Sequence, residues 1–440
     1  MSMWLSQSSL MQPEMPKWLE EICQRLTDND PTFTHLELNH RRIDDREARM
    51  LANALNGNTM VTVVMLACWN LVDDGSFALA SVLSTGMKSI RKIQLRGLRI
   101  SREAVTFFQH LQDIEQLEEL SLRHCRICAK SAALLHRLFR EHANIKHVRF
   151  VDTQFSEGAL SEVCQGLRWN ESISELYFVN TNIDAESGAT SLSSMLQDNK
   201  TLQELHLCEN GLGDEGVKIL AQGLSKNRTL EVLNVRSNGI SQVGANALSA
   251  VIQKMDSLTT LSLAMNEVGD LGAAVLAESL LETNNTSLQD VNLSENEIGE
   301  KGASAVANML LTNATLTDLD LSFNCIGSNG ASSIAHALEH NDTLLRLSLK
   351  RNNICSVGAS AFGSKLASMR GLKELVMLNN PIDKKGTTDL LDGLRKNVEI
   401  TYLQIGDRGS LHVLKEICHW IRLNQAGRRI FHAIKDYNGR

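Results

Sequence analysis

The chain has 440 residues, a formal net charge of −7, 4% aromatic residues, four prolines and nine cysteines. The mild negative charge argues against nonspecific affinity for nucleic acid or anionic lipid, and no stretch approaches the ~18 apolar residues that span a bilayer. Cysteines without a framework spacing predict free thiols in a reducing compartment, and so few prolines leave no proline-rich linker.

Residues 1–16 hold no positively charged segment followed by an apolar run, so no secretory signal is expected, and the expected location is cytoplasmic with a nuclear share compatible. Trp18, Leu19, Ile22 and Leu26 then fall at helical spacing and predict an amphipathic helix. From about residue 31 a single pattern governs the chain. Apolar residues recur at 36, 64, 93, 120, 148, 176, 205, 233, 261, 291, 319, 347, 375 and 403. Around them the sequence reads L-x-x-L-x-L-x-x-N-x-I, as in Leu202, Leu205, Leu207, Asn210 and Leu212, or Leu316, Leu319, Leu321, Asn324 and Ile326. Such a fixed period predicts an α/β leucine-rich-repeat solenoid of about 14 repeats of 28 residues. In each repeat the L-x-L core reads as a short strand with leucines inward and the intervening residues outward. A helix with small residues follows. Strands about 4.8 Å apart beside helices about 10 Å wide must curve into a horseshoe, with parallel strands concave and helices convex.

The early repeats are looser. Where later repeats carry Asn210, Asn238, Asn266, Asn296, Asn324, Asn352 and Asn380, they carry Arg41, Trp69, Leu98, Cys125, Thr153 and Thr181. The recurring Asn is expected to pair loop backbone groups that would otherwise be buried unsatisfied, since its amide both donates and accepts. A glycine recurs at the helix starts (Gly188, Gly216, Gly244, Gly272, Gly302, Gly330, Gly358, Gly386). Either the backbone turns sharply there or a neighbouring helix comes too close for a side chain. Six of the Asn-x-Ser/Thr triplets, at Asn170, Asn199, Asn227, Asn285, Asn313 and Asn341, each precede an aligned apolar residue by six. That fixed phase makes them part of the repeat, where Asn is expected to turn the helix into the strand with a left-handed backbone. Glycosylation is not expected. After the last strand, Leu411, Leu414, Cys418, Trp420 and Ile421 predict a second capping helix, and Arg428, Arg429, Lys435 and Arg440 a basic tail. The expected domains are thus a tail and capping helix over 1–30, the solenoid over 31–408, and a capping helix with tail over 409–440. Solenoid ends need caps because their last layer has no neighbour.

No motif points to chemistry. Gly211, Gly213 and Gly216 spell G-x-G-x-x-G between a strand and a helix, but the repeat itself produces that phase. Cys125 and Cys128 form a C-x-x-C without the second pair that a structural zinc site needs. Neither G-x-S-x-G nor H-E-x-x-H occurs. No catalytic residue, cofactor or metal centre is expected.

Function is expected on the strand face. Toward the C-terminus it presents an acidic zone of Asp290, Glu295, Asp318 and Asp320 beside the cations Arg346, Lys350 and Arg351. Met265, Phe323, Leu378 and Tyr402 interrupt those charges as apolar anchors, the composition of binding hot spots. A second candidate patch, read as mainly basic, comprises His35, His40, Lys92, Arg96, Arg123, His124, His147 and Arg149, with Glu37 among them. Tyr177 and Val179 lie between the two zones.

The strand, Asn loop and Gly-x-x-x-Leu helix together resemble the ribonuclease-inhibitor subfamily of leucine-rich repeats, over about residues 30–408. Ribonuclease inhibitors, activating proteins of the small GTPase Ran and the sensor halves of NOD-like receptors share that unit. The resemblance implies a nonenzymatic protein-interaction scaffold (adaptor, sensor or inhibitor) that grips a folded partner protein on its concave face. The alternative it implies is a GTPase-activating regulator of a Ran-type small GTPase. The chain ends basic where those activators carry an acidic tail, which favours the scaffold. Neither nucleic acid nor membrane is expected as a partner.

Overall fold

The structure, a computed structural model, describes residues 16–68, 73–98, 102–281, 287–406 and 411–427. Trp69, Asn285 and the basic residues from Arg428 onward lie outside them. Among the described residues, fourteen strands form one parallel sheet in strict sequence order, from His35–Leu38 to Tyr402–Gln404. Each strand is followed by a helix on the same side, so the core is a thin layer between sheet and helices. No helix among the described residues is long and apolar enough to cross a membrane.

Register follows from the repeat. Leu205, Leu233, Leu261, Val291, Leu319, Leu347, Leu375 and Leu403 stand opposite one another in successive strands. All but Leu403, which is half-buried in the last strand, are buried. A slip of one residue would turn that whole row to solvent, so the pairing is strongly specified.

The asparagine ladder forms as its chemistry requires. The backbone N–H and hydroxyl of Thr181 donate to Asn210 Oδ1 (2.9 and 2.8 Å), while its Nδ2 donates to the carbonyls of Phe178 and Cys208 (2.8 and 3.0 Å). Asn238 likewise accepts from the N–H groups of Asn210 and Leu212 and donates to Leu207 O at 2.8 Å. Each Asn therefore ties one repeat to the one before it. The looser repeats use substitutes. Thr153 Oγ1 donates to Leu122 O at 3.0 Å, and the Cys125 thiol lies against Arg123 O. They also contain a feature the repeat pattern did not announce: Phe150 and Phe178 stack with ring centroids 5.1 Å apart and 7° between planes. Phe139 and Phe155 meet this stack edge-on. A short two-stranded sheet pairs Arg126–Ile127 with Gln154–Phe155 beside it.

The second recurring asparagine departs from expectation. Asn58, Asn170, Asn199, Asn227, Asn313, Asn341 and Asn397 are buried, and none has a positive φ. Asn199 has φ −65°, donates to Leu167 O at 2.7 Å, and accepts from the N–H groups of Thr201 and Leu202 (2.9 and 2.7 Å). Side-chain pairing across repeats, not a left-handed backbone, is the reason for Asn here. Asn424 extends the ladder from the C-terminal helix Leu411–Gln425 by donating to Asn397 O and Ile400 O (3.1 and 2.9 Å).

The recurring helix-start glycines resolve in favour of close approach. None of the eight has a positive φ; a Cβ on Gly386 would lie 2.9 Å from Ser356 Cα of the preceding repeat, and one on Gly330 2.8 Å from Ala303 Cβ. Aspartates of one repeat also cap the helix of the next. Asp270 Oδ1 accepts from the N–H groups of Gly299 and Gly302, both at 2.7 Å, satisfying donors that a helix start leaves open.

The helix Lys17–Thr27 buries Leu19 and Leu26, with Trp18 and Ile22 packed partly against the core. The C-terminal helix sits with a rotated face. Val413, Ile417 and Asn424 are its buried residues, Leu414, Trp420 and Ile421 pack partly, and Leu411 and Cys418 face solvent. Asn424 sets that orientation, because its two bonds to the last repeat fix which face turns inward.

Candidate functional site

Strand register sorts the outward side chains into columns. The first runs His35, Val63, Lys92, Glu119, His147, Glu175, Glu204, Val232, Thr260, Asp290, Asp318, Arg346, Glu374 and Tyr402. The second, two residues on, includes Arg149, Tyr177, His206, Asn234, Ser262, Asn292, Asp320 and Ser348. A further row stands four residues after the aligned apolar position, where the backbone is left-handed in successive repeats. His124, Asp152, Asn180, Glu209, Ser237, Met265, Glu295, Phe323, Arg351 and Asn379 all have φ between 50° and 59° there, and Gly97 has 80°. Non-glycine residues adopt this conformation at a cost, least for Asn and Asp.

The N-terminal patch is an ion-pair network and not a mainly basic surface. Lys92 pairs with Glu119 at 2.9 Å, and Arg149 pairs with Glu119 and, at 3.6 Å, with Glu175. His147 Nδ1 lies 2.9 Å from Glu175, His124 3.6 Å from Asp152, and Arg96 3.3 Å from His124. The carboxylates that balance the cations stand on the neighbouring strands and loops, Glu119 and Glu175 in the first column and Asp152 in the left-handed row. His35 and His40 are exposed at the N-terminal edge, and Arg123 is half-buried. The second column also holds a stack. The Arg149 guanidinium lies 4.7 Å from the Tyr177 ring centroid, and Tyr177 stacks on His206 at 4.1 Å with 4° between planes. Burial pulls the His206 pKa down despite the Glu204 carboxylate 3.4 Å away. Burial also pushes the Tyr177 hydroxyl up. Sequence reading missed Glu119, Glu175 and His206; reading each strand at its two outward positions would have found all three.

The C-terminal patch assembles as strand register requires. Asp290 stands opposite Asp318, and Asp320 is two residues further along the Asp318 strand. Partial burial and then the neighbouring Asp318 carboxylate push the Asp290 carboxyl up, with Arg346 opposing. Arg346 donates to Asp318, and that bond raises its own pKa further. Phe323 is not a bare anchor in a charged rim. It is half-buried, with Lys350 Nζ 5.0 Å and the Arg351 guanidinium 5.3 Å from its ring centroid, an arrangement in which ring quadrupole and cations attract. Leu378 is half-buried beside this group, its carbonyl accepting from the Arg351 N–H at 3.0 Å. Met265 and Tyr402 are 38% and 41% exposed, Met265 against the Arg236 guanidinium and Tyr402 in the last strand. Glu295 is exposed in the left-handed row. Asp290, Glu295, Asp318, Asp320, Phe323, Arg346, Lys350, Arg351 and Leu378 thus lie on neighbouring strands and loops, while Met265 and Tyr402 flank them.

The remaining motifs belong to the architecture. Gly211 and Gly213 have φ of 77° and 58° in the turn, and a Cβ on Gly216 would meet Ala185 Cα at 3.1 Å. Cys125 is buried with its thiol pushed up to about 12 by desolvation, whereas Cys128 is the N-cap of the helix Ala129–Glu141.

A family described as "Leucine Rich repeat" matches six segments, 198–221, 226–249, 255–277, 284–307, 312–335 and 340–363. Ribonuclease inhibitor of Sus scrofa is 28% identical over 193 residues, covering 43% of this chain and 42% of that protein. NACHT, LRR and PYD domains-containing protein 4C of Mus musculus is 24% identical over 187 residues, covering 42% and 19% respectively. The chain therefore spans less than half the length of these curated relatives. Among solved structures, an internalin of Listeria monocytogenes matches 70% of this chain and 80% of its own, with 18% identity and a TM-score of 0.43.

Proposed function

We propose that this chain, whose repeats resemble those of ribonuclease inhibitor, is a nonenzymatic scaffold gripping a folded partner protein on its concave face. Repeats of this kind generally mediate protein–protein contacts, and strands about 4.8 Å apart beside helices about 10 Å wide make the strand side the shorter and hence the concave one. The observation that carries the reading is the cluster of Phe323, Lys350 and Arg351 beside Asp290, Asp318 and Asp320. Phe323 and Arg351 occupy the left-handed row, where Gly97, Asn180 and Asn379 stand in three other repeats and larger residues such as His124, Glu209 and Met265 in others. A bulky residue there costs about 1 kcal/mol or more, and neither side chain packs into the core. The repeat pattern calls for neither residue. An aromatic ring flanked by arginine at the centre of an outward patch is the usual composition of an interface anchor.

The test is affinity capture from native lysate with the wild-type chain, beside Phe323→Ala and a triple variant with Arg346, Lys350 and Arg351 changed to Glu. Any protein lost from both variants is then purified and its affinity measured directly. Phe323→Ala is expected to weaken that affinity by about 1–2 kcal/mol without changing the unfolding midpoint. A small GTPase recovered in this way would bring the regulator reading forward and call for a hydrolysis assay. Identical proteins on all three baits, with equal affinity, would remove this patch from the interface.

A further inference from the structure

Residues 336–340 read His-Ala-Leu-Glu-His and lie on the helical side of the solenoid, away from the strand face. His336 falls in the last turn of the helix Gly327–Leu338, Glu339 is its C-cap in right-handed conformation, and His340 follows. One donor atom from each side chain lies within 4.8 Å of the other two. The two imidazoles meet edge to face with centroids 5.6 Å apart, and His336 Nδ1 is 3.7 Å from Glu339 Oε2. Lys365 of the next helix, Ser356–Leu366, donates to that same oxygen at 2.6 Å. The repeat does not require these residues. The equivalent positions one repeat earlier are Asn308, Leu311 and Thr312, and one repeat later Ser364, Ala367 and Ser368.

We propose that His336, Glu339 and His340 form a binding site for one divalent transition-metal ion of the zinc, nickel or copper class. Two imidazole nitrogens and a carboxylate oxygen suit these borderline ions. Tetrahedral donors about 2.1 Å from zinc stand roughly 3.4 Å apart, so rotation of the two exposed histidines closes the set without moving backbone. Lys365 holds the Glu339 carboxylate in place through Oε2, as outer-shell partners of metal-binding carboxylates do. The site also stands at a helix C-terminus, where the backbone dipole favours a cation. With three protein donors, the remaining coordination position opens to solvent, available to water or to a side chain of a docked protein.

The test is calorimetric titration of the full, reduced chain with zinc chloride, beside a His336→Ala/His340→Ala double variant and Glu339→Gln. The thiols of Cys325, Cys355 and Cys418 are exposed and offer competing sites, so the readout is the difference between variants. The wild type is expected to bind one equivalent more than the double variant. Glu339→Gln should weaken that equivalent more than about tenfold. Because both histidines are exposed, unfolding midpoints should coincide without metal. Equal stoichiometry and affinity in the wild type and the double variant, or no zinc bound by either, would overturn the site.

Discussion

At the scale of single residues, buried hydrogen bonding decides which positions tolerate change. His142 stands where most repeats carry the second asparagine. Its Nδ1 accepts from the N–H groups of Asn144 and Ile145 (3.2 and 3.3 Å), and its Nε2 reaches Ile114 O at 3.0 Å. The imidazole thus reproduces the asparagine's pattern, with the proton on Nε2. His142→Asn should leave the denaturant midpoint almost unchanged, whereas His142→Ala should cost about 1–3 kcal/mol by leaving those groups unpaired. Charge sets a second expectation. The Asp290 carboxyl is raised above its ordinary 3.8 by partial burial and the nearby Asp318 and Asp320. A carboxyl that ionises less readily folded than unfolded subtracts stability above its folded pKa, and that penalty vanishes below the unfolded value. Asp290→Asn should therefore raise the denaturation midpoint at pH 7 and leave it equal to wild type below pH 3.8. The opposite trend, a variant less stable at neutral pH, would show that Asp290 has a stabilising partner.

At the scale of elements, the fold was legible because each repeat carries its own instructions. The apolar row from Leu36 to Leu403, the first asparagine ladder and the amphipathic N-terminal helix could all be read from spacing. What lay beyond reading came from interactions between repeats. The second ladder pairs Asn199 with a carbonyl of the previous repeat, so its single-repeat context suggested a turn conformation instead. The Phe150–Phe178 stack occupies positions where any large apolar residue fits the pattern. On the site, the left-handed row was invisible because Met265, Phe323 and Arg351 are not residues that signal φ near +55°. The helix faces were set equally by neighbours. A Cβ on Gly393 would run into the Gly363 carbonyl, where the helices Lys384–Leu394 and Ser356–Leu366 touch. Gly393→Ala should accordingly destabilise by about 1–3 kcal/mol through overpacking, despite the better helix propensity of alanine. A midpoint at or above wild type would show that the helices can separate without penalty.

At the scale of the whole molecule, every extensive contact joins neighbours in the stack, so stability is a sum of repeats and their interfaces. Unfolding need not be all-or-none, and a substitution in one repeat stays local in its effect. The same arrangement keeps strand and helix faces independent: one holds the Phe323 cluster, the other the His336, Glu339 and His340 group. The central claim, that the strand face is the one that binds, is tested most directly by hydroxyl-radical footprinting of the chain alone and with its captured partner. Met265, Phe323, Leu378 and Tyr402 report the strand face, and Trp169, Leu271 and Val357, all more than half exposed, report the helices. Protection of the first group with unchanged labelling of the second is the predicted result. Protection confined to Trp169, Leu271 or Val357 would contradict it and move the interface to the convex side.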